Sequence, residues 1–210
     1  MIRGMVSAAC SRSSAPASMH RLWLRFEGGF ADSGQSGLTV TNSGATLDTS
    51  IYAEGTSSAL VATSQNSNVI TVAHHASTQI ENADFEIGIR VRFSSTASAS
   101  VIYTKSAGTG LYPYQIIRNS SNAFEFRGFA EDGSFFSMTT SAGFVSANTW
   151  YQVKAKRVGN VFSLVVNGST EASQEFAKSL KISSAHTSIG NYGTGGYPVV
   201  GWVDDVYFDA

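Results

Sequence analysis

WYQVKAKRVGNVFSLVVNG, from Trp150 to Gly168, decides the class of this chain. Tyr151, Val153 and Ala155 alternate with Gln152, Lys154 and Lys156, the two-residue period of a strand with one buried face. Gly159-Asn160 supplies a two-residue turn in which positive φ costs little, and Phe162, Leu164 and Val166 carry the apolar face onto a second strand. Asn167-Gly168 then turns the chain again. The segment predicts a β-hairpin.

The same alternation extends in both directions. Leu22, Leu24 and Phe26 alternate with Trp23, Arg25 and Glu27 ahead of a Gly28-Gly29 break, and Phe85, Ile87, Ile89, Val91 and Phe93 share one face of a long strand. Further strands are predicted at 58–62, 68–72, 100–105, 114–118, 123–130, 135–140, 187–190 and 200–208, between turns of Gly, Asn, Asp and Ser. No segment sustains a 3.6-residue apolar period, and the window 173–182 gives at most one short turn or helix. Many short strands at regular spacing predict an all-β, two-sheet antiparallel sandwich over residues 21–210. Residues 1–20, rich in Ser and Ala without periodicity, predict an irregular N-terminal arm, either a disordered tail or an extended segment that orders on a neighbouring subunit.

Composition excludes several classes. The charged fraction is 14% and the net charge −1, which argues against nucleic acid, whose binders carry a basic patch or stripe. No run of about 18 apolar residues exists to span a membrane as a helix. Cys10 is the single cysteine, so no intrachain disulfide forms. MIRGMVSAAC is too short in its apolar stretch for a signal peptide, and Ser7 stands where a lipobox carries Leu.

Four pieces in order resemble the laminin-G-like, concanavalin A-like lectin/glucanase jelly rolls. LWLRFEGGFADSG (Leu22 to Gly34) is similar to their opening strand and Phe-x-Asp-Ser-Gly turn, and NADFEIGIRVRF (Asn82 to Phe93) to the strand written Asp-Phe-Thr-Ile-Glu-Phe-Trp-Val. The Trp150–Gly168 hairpin is the third piece. SIGNYGTGGYPVVGWVDDVYFD (Ser188 to Asp209) resembles the closing Ile-Gly, Gly-rich loop and Gly-x-Ile-Asp-Asp-Val strand. The resemblance implies a jelly roll; it leaves function open, because this architecture hosts lectins, glycosidases, adhesion domains and virion proteins. It also implies a structural calcium ion held by Asp204 of the last strand and main-chain carbonyls at Glu27 and Gly55, with Asp32 as a further ligand. The competing reading makes Asp204 and Asp205 a hydrogen-bonding or edge-protecting pair.

The glucanase branch carries its two carboxylates on one strand as Glu-x-Asp-x-(x)-Glu, and this chain has no such motif. Glu125 reads as a solvent-facing strand residue, and Glu131-Asp132 as turn formers. No Gly-x-Ser-x-Gly elbow appears, and His74-His75 would point to opposite sides of a strand rather than share a metal. GTGG lacks the Gly-Lys-Ser/Thr ending of a phosphate loop. Asn119-Ser-Ser and Asn167-Gly-Ser fit the N-glycosylation pattern by chance. For sugars, Tyr112, Tyr114, Tyr192 and Tyr197 beside Gly-rich segments offer rings to stack on a pyranose.

The expectation is a non-enzymatic structural protein of a bacteriophage virion, a capsid-decoration or tail-fibre module at the particle surface. Its partners would be other virion subunits, as a homo-oligomer assembled through the arm. The alternative is a lectin domain that reads a host glycan.

Overall fold

The structure is a computed structural model describing residues 20–61, 69–106, 112–192 and 196–210. Among these, fifteen strands form two antiparallel sheets. They are β1 (Leu22–Leu24), β2 (Val40–Ser43), β3 (Thr46–Asp48), β4 (Ser58–Val61), β5 (Val69–Val72), β6 (Phe85–Phe93), β7 (Ser100–Lys105) and β8 (Tyr114–Arg118). After them come β9 (Phe124–Phe129), β10 (Phe135–Thr139), β11 (Trp150–Val158), β12 (Val161–Val166), β13 (Ser169–Glu175), β14 (Thr187–Ile189) and β15 (Gly201–Asp209). The larger sheet runs β13-β12-β11-β6-β15-β4-β3, with β1 also on β15; the smaller runs β10-β9-β8-β7-β14-β5-β2. The expected sandwich is therefore the fold.

The hairpin read first from the sequence pairs Val158 with Val161 across Gly159-Asn160, and Gly159 takes φ +58°. The next turn is tighter: Val166 pairs with Ser169, and Asn167 and Gly168 take φ +51° and +86°, the signature of a type I′ turn. The chain then continues as β13, an edge strand, where the sequence suggested a turn or short helix from residue 173. The expectation failed because Ser169–Glu175 is polar on both faces and leaves no alternation to read. Strands β2 and β3, mostly exposed, were missed for the same reason. Residues 1–19 of the expected arm, Cys10 among them, and most of the Gly-rich loop at 193–196 lie outside the described residues.

The apolar faces meet between the sheets. Phe162 on β12 touches the rings of Phe85, Phe126, Phe136 and Phe176 at centroid distances of 4.7 to 6.1 Å, which joins both sheets through one aromatic cluster. Each fully buried side chain of this size contributes roughly 1.5–3 kcal/mol relative to exposure.

The two outer faces differ. On the larger sheet, Trp202 and Trp150 flank Arg92 in cross-strand register, and the Arg92 guanidinium lies 5.0 Å from the Trp202 ring. Trp23 lies on the same face, its indole N–H donating to Asp205 and Arg25 stacked on its ring. All three tryptophans of the chain are thus on this face. The smaller sheet instead presents Thr104, Gln115, Arg127 and Ser137 in one cross-strand row and Val101, Ile117 and Glu125 in the next.

Candidate functional site

Val101, Ile117, Glu125 and Arg127 of those rows line a cavity of about 490 Å³ on the outer face of the smaller sheet. The chain leaving β14 folds over it: the Val101 amide donates to the Tyr197 carbonyl at 2.8 Å, which fixes the loop across β7. Buried Asn191 turns the loop, its Oδ1 accepting from the Tyr192 amide at 2.7 Å. Tyr192 and Tyr197 then stand on the cavity edge-to-face, 6.1 Å apart at 68°. Tyr197 is 60% exposed and holds φ +56°, a backbone state that costs a bulky residue energy and persists where surroundings impose it.

The floor is polar and highly connected. Gln115 Oε1 accepts from Arg127 Nε at 3.0 Å and Nη2 at 2.9 Å, and Gln115 Nε2 donates to Thr104 at 3.2 Å. Arg127 Nη1 donates to Glu125 Oε1 at 3.3 Å. Glu125 also accepts from Ser137 at 3.0 Å and from Asn119 Nδ2 at 3.4 Å. The floor is thus fixed before any ligand arrives, which lowers the ordering cost of binding.

The sequence-predicted tyrosines divide. Tyr192 and Tyr197 line the cavity. Tyr112 lies beside it, mostly buried, its ring 5.4 Å from the Arg127 guanidinium; burial pushes its hydroxyl above the ordinary value. It is carried there because Gly128 on β9 admits the Pro113 carbonyl, which would lie 2.1 Å from any Cβ at that position. Tyr114 does not belong to the site. It is fully buried between the sheets, its hydroxyl donating to the Thr78 carbonyl at 3.2 Å, because the strand starts at Tyr114 itself and turns that ring inward.

Glu125, Arg127 and Asn119 are the residues sequence reading missed. Glu125 is not solvent-facing; its side chain is only 12% exposed, because the loops wall the strand in. The available signal was FEFRGF, where opposite charges two residues apart share one strand face.

A family model for the concanavalin A-like lectin/glucanases matches residues 64–208, more than half of the chain. This chain belongs to the concanavalin A-like lectin/glucanases superfamily. No curated protein matches it. Solved structures of similar fold include the botulinum neurotoxin serotype G binding domain, at TM-score 0.70 and 14% identity over 90% of this chain and 47% of that one. The binding domain of Paraclostridial Mosquitocidal Protein 1 aligns with TM-score 0.70 and 14% identity over 90% and 48% of the two chains. The binding domain of botulinum neurotoxin DC, in complex with SialylT, aligns with TM-score 0.65 and 13% identity over 90% and 47%. The chain spans about half the length of these structures.

The concanavalin A-like resemblance also implied calcium on Asp204 and the main-chain carbonyls of Glu27 and Gly55, and Asp204 and Glu27 do meet at one loop. The loop at 53–56 lies between them: Asp204 Oδ2 accepts from the Ala53 and Glu54 amides at 2.9 and 3.0 Å, and Asp204 Oδ1 from the Asp205 amide at 2.8 Å. The Glu27 carboxylate takes the Thr56 amide and hydroxyl and lies directly over Gly55. The Asp204 oxygens thus already accept three amide hydrogens, which would compete with a cation for them. Among the described residues no group of three or more His, Cys, Asp and Glu could hold a metal. Asp32 is likewise spoken for by the Trp23, Gly34 and Leu38 amides. Burial pushes the Asp204 carboxyl up to about 6, while the three amides pull it down. Asp204 and Asp205 are both hydrogen-bonded, and β15 lies inside the sheet, so the pair protects no edge.

Proposed function

We propose that this chain is a non-catalytic, lectin-type carbohydrate-binding module whose sugar site is the cavity under Tyr192 and Tyr197. The observation that carries the proposal is the pairing of those two rings with a prearranged floor of Glu125, Arg127 and Asn119. Aromatic rings take the apolar C–H face of a pyranose, and carboxylate, amide and hydroxyl groups take its hydroxyls. One fold neighbour, the binding domain of botulinum neurotoxin DC, forms a complex with SialylT, which is consistent with a binding role for this architecture.

A binding role is favoured over hydrolysis by the carboxylates. Retaining glycosidases need two about 5–5.5 Å apart, and among the described residues Glu125 is the one carboxylate lining this cavity. It is tied to Arg127, Ser137 and Asn119 rather than poised as an acid or nucleophile. The virion-surface setting rests on the sequence resemblance; within it the module would read a host-surface glycan.

A glycan array with the full chain, followed by calorimetry on the best ligand, tests the reading. Tyr192→Ala and Tyr197→Ala should each weaken binding about tenfold, ~1.4 kcal/mol, with the melting midpoint unchanged. Unchanged affinity in both variants removes this cavity as the sugar site.

A further inference from the structure

Resting on that reading, we infer that the site extends beyond the cavity and takes a linear oligosaccharide, with Phe129 and Phe135 as the platform for a sugar remote from Tyr192 and Tyr197. The register of β9 on β10 lays out the path. Phe129 faces Phe135, Arg127 faces Ser137 and Glu125 faces Thr139. Alternate residues share a side of the sheet, so Glu125, Arg127 and Phe129 follow one another along the outer face, as do Thr139, Ser137 and Phe135. Glu125 and Arg127 line the cavity, and Phe129 is the next step out of it.

Side-chain contacts continue along that path. The Arg127 guanidinium lies 5.4 Å from the Tyr112 ring, the Tyr112 and Phe129 rings are 5.3 Å apart at 66°, and the Phe129 and Phe135 rings 5.0 Å apart at 51°. The strand from Glu125 to Phe129 is roughly 13 Å long, which exceeds one pyranose ring and suits about two or three linked ones.

Phe135 is the outer end of the path. It is 48% exposed and lies on β10, the edge strand of the smaller sheet. Its same-face neighbours on β10 are Ser137 and Thr139, small polar residues that suit an exposed edge, so the strand has no need of an aromatic ring facing water there. An exposed ring continuous with a cavity marks a contact surface. The path presents two tyrosines, then the polar stretch of Glu125 and Arg127, then the phenylalanine pair. An oligosaccharide matches that order, because its apolar C–H faces stack on rings and its hydroxyls meet carboxylate and guanidinium.

An array of cello-, malto- and chito-oligosaccharides from monosaccharide to pentasaccharide, followed by calorimetry on the series that binds best, tests the inference with the full chain. Tetrasaccharides should bind about fivefold more tightly than disaccharides, the scale of one added ring-stacking contact. Phe135→Ser should remove that gain while leaving disaccharide affinity unchanged, which also reports that the variant is folded. Phe135→Tyr, which keeps the ring, should retain the gain. Affinity independent of chain length, or a gain that survives Phe135→Ser, overturns the inference and leaves the Tyr192 and Tyr197 reading intact. A blank array from a folded sample removes the glycan-binding reading and this inference with it.

Discussion

Lys105 shows how a single residue records a compromise in this sandwich. It is 1% exposed, with Nζ 3.2 Å from His74 Nδ1 and 3.3 Å from Thr78 Oγ1, and no carboxylate pairs with it among the described residues. Burial lowers its amine to about 8. The folded state therefore binds its proton less readily than the unfolded chain, so the penalty is full below pH 8 and fades as pH rises towards the unfolded value of 10.5. Lys105→Met should raise the urea midpoint at pH 7, and the gain should vanish between pH 8 and 10.5. A gain constant across that range would place the effect in packing rather than charge. The Asp204 junction makes a second statement at this scale: with amide hydrogens on its oxygens, a chelator should leave the melting midpoint unchanged, and a drop would restore a cation to that site.

Among the elements, the Asn167-Gly168 turn is where local chemistry most directly sets register. Gly168 holds φ +86°, and a Cβ there would meet nothing within 4 Å, so a substitution costs backbone strain alone. Gly168→Val should lower stability by about 1–2 kcal/mol, read as a shifted urea midpoint with an unchanged slope. Elements of this kind were legible in the sequence because their physics is local. The long strands β6, β11 and β12 announced themselves by alternation, since one face is buried against the opposite sheet. β13 did not, because an edge strand that is polar on both sides carries no periodic signal. The site was half legible: Tyr192 and Tyr197 were found through the Gly-rich loop that carries them, whereas Glu125 and Arg127 resembled ordinary outward residues. What distinguishes them is the wall of loops built around their strand, a tertiary fact absent from the hexapeptide FEFRGF. Tyr114 failed for another reason: the strand starting at that residue was predicted, but which side of the sheet its ring takes is a tertiary fact, and it points into the core.

At the scale of the whole molecule, the described sandwich begins at His20, whose ring stacks on Tyr207 at 4.3 Å and whose Nδ1 lies 2.7 Å from Asp209. In the virion setting proposed from the sequence, removing residues 1–19 should abolish incorporation into particles while the melting midpoint stays unchanged; normal incorporation would rule that setting out. Trimming one residue further also unstacks Tyr207, so the two cuts should be compared. The sheets also divide the chromophores of the chain. Trp23, Trp150 and Trp202 all lie on the outer face of the larger sheet, with the full thickness of the core between them and the tyrosine-lined cavity. Intrinsic tryptophan emission will therefore follow unfolding and events on its own face, and a sugar seated against Tyr192 and Tyr197 will leave it dark to the titration. A flat fluorescence trace is the expected signal of a working site, and occupancy has to be read by heat or by the resonances of the two tyrosine rings.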